Sequence, residues 1–214
     1  MRVLDKKDLE KYLKGTTTVG FICQGGVVMA SDSRATMGFM IADKEAQKIY
    51  AIDDKIAITT AGMVADNQML VRLMKAQISL YKMEGRPITV KAATTLLSNV
   101  LHQNRYYPLM IQNIIGGFDD KGRIFELDMV GGMSEKKMSS TGSGSPTAYG
   151  VLETEWNENM TMEEGVKLGV KCIHTALERD AATGNNVRVM KITTSGIENV
   201  PAATIEQIRA DFKK

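Results

Sequence analysis

Lys14-Gly15-Thr16-Thr17-Thr18-Val19-Gly20 sets a glycine directly before a threonine that opens a β-branched, apolar run. Two readings compete. In one, Gly15 ends an N-terminal helix and Thr16 to Ile22 is simply a strand, as glycine's C-terminal capping and threonine's fit to pleated backbone suggest. In the other, the junction is a cut site. Breaking the Gly15–Thr16 bond would leave Thr16 with a hydroxyl and a free α-amino group, so nucleophile and general base would come together on one residue. Local sequence favours the plain strand, and the choice passes to the rest of the chain.

Downstream of the junction, Thr17 to Ile22 and Val27 to Ala30 read as short strands with Gln24-Gly25-Gly26 as the hairpin turn. Lys48 to Ile52 and Lys55 to Thr60 form a second pair around Asp53-Asp54, and Ala61-Gly62 breaks the strand pattern. A helix follows, with Met69, Leu70, Leu73, Met74, Gln77 and Leu80 on one face and Gly85-Arg86-Pro87 as its stop. Ala93, Leu96, Leu97, Val100 and Leu101 repeat that spacing after a cap at Thr89, ending before Pro108. Met110 to Phe118 and Arg123 to Met129 return to strand around Asp119-Asp120-Lys121-Gly122, and Lys137 to Thr141 adds another. Gly142-Ser143-Gly144-Ser145-Pro146 turns into a short helix through Leu152. Thr161-Met162-Glu163-Glu164 is a capping box for a helix striped by Val166, Val170, Ile173 and Leu177, running to Asp180. Val187 to Thr193 closes as a strand, and Pro201 to Phe212 is an amphipathic tail helix. Strand blocks that alternate with helix pairs argue against a doubly wound parallel sheet and predict an α+β chain, with two sheets between helix layers.

With 214 residues and no repeat or second core pattern, the chain reads as one domain able to bury roughly 70% of its unfolded surface. Apolar residues at 43% and charged residues at 24% point away from disorder and from a membrane class. Lys and Arg outnumber Asp and Glu by 27 to 25 and are scattered, so no basic stripe for nucleic acid is visible. Two cysteines, Cys23 in a strand and Cys172 in a helix, make no disulfide framework and predict a reducing, cytoplasmic setting. Residues 1–15 are too charged for a secretory signal, and no apolar run approaches the roughly 18 residues of a membrane span. Leu9, Tyr12 and Leu13 permit a short leader helix.

A threonine hydroxyl needs something to take its proton, and a free α-amino group, with an ordinary pKa of about 7.7–8.0, is suited to that task. A cation nearby would lower that value further, as Lys48 could, and Lys48 would need a carboxylate such as Asp32 to hold it. Gly62 has no side chain to shield its amide, so its N–H could face the oxyanion of a tetrahedral intermediate, helped by a helix N-terminus there. Thr16, Asp32, Lys48 and Ala61-Gly62 each fall at a strand start, a strand end or a strand-to-helix break, positions that converge at one end of a sheet. Other signals are weaker. Gly142 to Thr147 is half of a dinucleotide fingerprint, interrupted by Pro146 and lacking the third glycine. His102 and His174 have no ligand cluster around them, Asp119-Asp120 suits a turn, and Met69 and Met74 read as core filling, so no metal or cofactor is expected.

Six segments taken together resemble a proteasome β subunit of the archaeal type: Gly15 to Gly20, Ala30 to Thr36, Gln47-Lys48-Ile49, Thr60-Ala61-Gly62, Gly142 to Ser145 and Arg179 to Gly184. The likeness runs from Gly15 to the C-terminal helix and implies a four-layer αββα sandwich, the N-terminal nucleophile hydrolase fold. It further implies a threonine endopeptidase, made as a precursor, in which residues 1–15 are a propeptide removed by autocleavage and 16–214 are the catalytic domain. By that resemblance Thr16 is nucleophile and base, Lys48 tunes its amine, Asp32 orients Lys48, and Gly62 supplies the oxyanion hole. Ser143 and Asp180 would bond around the Thr16 amine, and Thr183 stands where the family usually has serine. Substrate would be bound by Ala35, Thr36, Ala46, Tyr50, Thr60, Val64 and Gln68, its side chains packing near all of these but Thr36; none is charged, which predicts cleavage after hydrophobic residues. Implied partners are α-type and further β subunits in sevenfold rings stacked four deep, a regulatory unfoldase at the α ring, and unfolded polypeptide, with no nucleic acid or membrane. A simpler bacterial two-ring relative and a catalytically silent ring subunit are the alternatives; Thr16, Asp32 and Lys48 all being present speaks against the second.

Overall fold

Every residue from Gly26 to Asp32 is buried, which requires cover on both faces and on both edges of that strand. The computed structural model, which describes residues 15–212, supplies it. The leader stretch around Leu9, Tyr12 and Leu13 lies outside the described residues. Strand β2 (Gly26–Asp32) pairs antiparallel with β1 (Thr18–Cys23) on one edge and with β12 (Val187–Thr193) on the other. With β11 (Met138–Thr141) and β13 (Gly196–Asn199) outside them, the first sheet runs β11-β1-β2-β12-β13.

The second sheet runs β10 (Met133–Lys136), β9 (Gly122–Leu127), β8 (Ile111–Phe118), β6 (Ile56–Thr59) and β5 (Ile49–Asp53). A two-residue strand, β7 (Ala61–Gly62), pairs with β8 alone. Alternation along β2 shows how the sheets stack, because strand neighbours point to opposite faces. Val27 and Met29 join Ile49, Ala57, Ile114, Ile124 and Ile192 between the sheets, whereas Val28 and Ala30 pack outward with Leu152, Val170 and Ile173. Those outward partners belong to α3 (Ser145–Glu155) and α4 (Met162–Arg179), and Ile205 of α5 (Ala202–Phe212) joins them. On the far side, α1 (Val64–Met83) and α2 (Val90–Gln103) cover the second sheet through Leu70, Met74, Ile78, Leu97 and Leu101 against Ile58, Ile115 and Phe125. The layers are helix, sheet, sheet, helix, the α+β four-layer αββα sandwich. Each fully buried Leu, Ile or Phe in these three clusters contributes about 1.5–3 kcal/mol.

Helix starts follow local chemistry. Thr89 caps α2 by accepting from Ala92 N, and Thr161 with Glu164 closes the capping box of α4. The face of α1 differs from the stripe read in the sequence: Asn67, Leu70, Val71, Met74 and Ile78 are buried, while Met69, Gln77 and Leu80 are exposed. Met74 is core filling and Met69 is not. Ala61-Gly62, read as a break, is a short strand, and the helix begins at Val64. A hairpin of β3 (Ala35–Met37) and β4 (Met40–Asp43) went unread, since its Met37, Phe39 and Met40 face outward and give no core periodicity. Cys23 and Cys172 are free and buried, and burial pushes both thiols up to about 12. Among the described residues no helix is long and apolar enough to cross a membrane.

Candidate active site

The antiparallel register of β1 and β2 sets Thr18 opposite Ser31, so the start of one strand meets the end of the other. Asp32 therefore reaches the backbone just before β1: its Oδ1 accepts from Thr17 N at 3.0 Å, and its Oδ2 accepts from Arg34 N at 3.1 Å and Gly184 N at 2.9 Å. Lys48, the residue before β5 in the other sheet, donates from Nζ to Asp32 Oδ1 at 2.7 Å. Both side chains are buried, and four donors hold the carboxylate in one orientation. Burial lowers the Lys48 ammonium below its ordinary range, while the Asp32 charge opposes that shift.

The same Nζ lies 3.4 Å from the Gly15 carbonyl oxygen, to which Thr16 Oγ1 donates at 2.7 Å. The Gly15 amide donates to Thr36 Oγ1 at 3.3 Å. A Cβ on Gly15 would fall 1.8 Å from the Cβ of Ala182, so this close approach admits glycine alone. From the other side, Thr16 N donates to Ser143 Oγ at 3.2 Å, and the Ser143 hydroxyl donates to Asp180 Oδ2 at 2.5 Å. Thr183 Oγ1 donates to the same Oδ2 at 2.5 Å. With its own hydrogen committed there, Thr183 must accept the 2.7 Å bond from Thr17 Oγ1. Asp180 is thus gripped between two hydroxyls, one of which touches Thr16.

Gly62 has φ +98°, and a Cβ there would lie 2.2 Å from Met110 O. Met63 N donates to that Met110 O at 2.7 Å, and N–H groups alternate along an antiparallel ladder, so the Gly62 N–H points away from β8. The first turn of α1 follows immediately, with no side chain capping it at Met63.

A cavity of about 40 Å³ opens beside Gly15, Thr16, Lys48 and Gly62, walled by Ala35, Ala46, Tyr50, Thr60, Val64 and Gln68. Gln47 and Asn67 also line it, a place the sequence reading assigns to neither. Thr36 is not part of that wall and spends its hydroxyl on the Gly15 amide. Asn67 was detectable in principle as an amide inside the buried stripe of α1, and Asn113 as an amide inside the apolar run of β8. A larger cleft, about 630 Å³, opens at the other end of the first sheet beside Gly25, Gly26 and Lys121 and contains none of these residues. Among the described residues no group of three or more His, Cys, Asp or Glu could hold a metal. His102 and His174 sit on different helices, His174 stacked on Phe212.

Two sheets between helix layers, with a buried Thr-Lys-Asp constellation at a strand start, constitute the architecture of an N-terminal nucleophile hydrolase. The comparisons with known proteins are specific: the family described as "Proteasome subunit" matches residues 12–192. The chain is 50% identical over 210 residues to a proteasome subunit beta of Methanosarcina barkeri, covering 97% of this chain and 100% of that one. A Methanosarcina thermophila subunit is 50% identical over 95% of this chain and 98% of its own, and a Methanococcus vannielii subunit 51% identical over 93% of each. The chain belongs to the proteasome subunit family. It is a threonine endopeptidase of the β type, and it assembles with other subunits of that family.

Proposed function

We propose that the chain is a precursor that cuts its own Gly15–Thr16 bond and then works with Thr16 as its first residue. The observation that carries this reading is the buried Lys48–Asp32 pair directed at that peptide, with Thr16 Oγ1 2.7 Å from Gly15 O. In the self-cleavage, Thr16 Oγ attacks the Gly15 carbonyl carbon, the C–N bond breaks as the nitrogen takes up a proton, and the resulting ester is opened by water. Residues 1–15 leave as the propeptide. In each later turnover the freed amine takes the Thr16 hydroxyl proton, Oγ attacks the substrate carbonyl, and the Gly62 N–H receives the oxyanion. The protonated amine gives its proton to the leaving nitrogen, and water opens the acyl ester. Lys48 disfavours a second positive charge and keeps the amine basic form available, Asp32 holds Lys48, and Ser143 with Asp180 orients the amine.

The cavity walled by Ala35, Ala46, Tyr50, Thr60, Val64 and Gln68 takes the side chain before the cut, and Thr36 holds substrate backbone as it holds the Gly15 amide. With no charge of its own, this wall favours tyrosine or leucine over arginine by about 10-fold or more in kcat/KM, since a charge buried there has no partner. Fluorogenic peptides differing at that one position measure the ratio, and a preference for arginine would refute the assignment. Sevenfold β rings inside a four-ring stack with α-type subunits, an unfoldase feeding unfolded chains through the α ring, and a cytoplasmic location complete the reading. Intact mass after co-expression with an α-type partner tests it: the expected β chain lacks residues 1–15. A particle that hydrolyses peptides while its β chain keeps the leader would overturn it.

A further inference from the structure

Two buried amides stand behind the oxyanion loop. Asn113 of β8 donates both Nδ2 hydrogens, to Thr59 O at 2.7 Å and to Asn67 Oδ1 at 3.0 Å. Asn67 of α1 donates both of its own, to Ala61 O and to Met63 O, each at 3.0 Å. Those two carbonyls belong to the residues on either side of Gly62. Thr59 O can only accept, so it decides which end of the Asn113 amide faces inward, and Asn113 in turn decides which end of Asn67 faces Gly62. The result is a directional relay from the centre of the second sheet to the Ala61-Gly62-Met63 backbone.

The geometry points to Asn67 and Asn113 as positioning residues that aim the Gly62 N–H at the reacting carbonyl, an inference that rests on Gly62 being the oxyanion donor. Ala61 C=O and Gly62 N–H are opposite ends of one planar trans peptide, so an oxygen held toward Asn67 turns the hydrogen away from it. Glycine is the residue least able to hold such a plane unaided, and at φ +98° it depends on its neighbours. Pairing with β8 secures one side of this dipeptide, and Asn67 clamps the carbonyls before and after it. The arrangement has a cost: Asn113 is 1% exposed and its Oδ1 has no hydrogen-bond partner among the described residues. In return its two N–H groups hold Thr59 O and Asn67 Oδ1, and through Asn67 the backbone on either side of Gly62.

The test uses the assembled particle with an α-type partner and the variants Asn67→Ala, Asn113→Leu and both together. In each, kcat per processed site for a neutral fluorogenic peptide is expected to fall about 10- to 100-fold with KM within about twofold, as for an interaction made in the transition state. A peptide aldehyde, whose tetrahedral adduct needs the same N–H, is expected to bind more weakly by the same factor. The double variant should be no worse than the worse single, because both residues act through one relay. Asn113 does not line the substrate cavity, so an effect confined to KM in Asn67→Ala, with Asn113→Leu unchanged, would overturn the inference and leave Asn67 a pocket wall. If Asn113→Leu fails to assemble, Asn113→Ser carries the same expectation. Thr16→Ala in the same particle separates the two levels. Its inertness beside Asn variants of normal kcat sinks only the relay, whereas its retaining activity sinks the Gly62 reading as well.

Discussion

Replacing Thr16 with alanine is expected to abolish peptide hydrolysis, by on the order of 10⁴-fold or more, and to leave residues 1–15 attached. Both losses come from one oxygen. In the uncut chain Thr16 Oγ1 is the hydroxyl placed against the Gly15 carbonyl, with the Lys48 ammonium on the same carbonyl oxygen. Alanine leaves that carbonyl without an attacking atom, while the backbone N–H bond to Ser143 survives. The fold should be little affected: one hydrogen bond to Gly15 O is lost, about 1 kcal/mol, and the pairing of β1 does not involve this side chain. Thr16→Ser is the companion variant. It keeps the hydroxyl but drops the β-methyl that limits the side chain's rotation, so it should process and hydrolyse more slowly than the parent without being inert. Mass spectrometry of the β chain and peptide turnover on the same preparation check both arms. A Thr16→Ala chain that sheds its leader in a particle with no other active subunit would sink the mechanism.

How much of this was open to a reader of the sequence depends on where each feature takes its information. Strands such as Gly26–Asp32 and the α4 capping box are local, and their patterns survive into the structure because core and cap enforce them. Thr16, Asp32, Lys48 and Gly62 could be grouped because strand ends converge, a rule that needs no coordinates. What was not legible is tertiary. The helix face of α1 was misread because a buried asparagine replaces an apolar residue at its start, shifting the apparent stripe toward exposed Met69 and Leu80. The β3–β4 hairpin carries its large apolar residues outward, so alternation gave nothing to find. Thr36 is expected among the substrate-binding residues, but the sequence does not show that its hydroxyl accepts from the Gly15 amide. The Asn113 to Asn67 bond joins residues 46 apart in sequence and follows from no spacing rule.

Asp32→Asn should be the most damaging change that leaves Thr16 in place, and it acts on stability and chemistry by separable routes. The amide presents an NH₂ to a site where both oxygens accept, from Thr17 N and Lys48 on one and from Arg34 N and Gly184 N on the other. One pair of donors must then face another donor. Lys48 also loses the carboxylate that most strongly opposes its desolvation, so its ammonium shifts further down. Breaking a buried pair in this way costs about 3–5 kcal/mol. Peptide hydrolysis should fall by about 10²- to 10⁴-fold, since neither the amine nor the hydroxyl of Thr16 keeps its electrostatic partner. The double variant Asp32→Asn/Lys48→Met distinguishes the routes. Removing the unpaired cation should recover much of the stability, because an apolar chain of similar length is comfortable where an ammonium is not. Activity should stay lost. Denaturant unfolding beside peptide turnover, for both singles and the double, reads the cycle. A double variant that regained hydrolysis along with its stability would mean that Asp32 and Lys48 only hold the fold together.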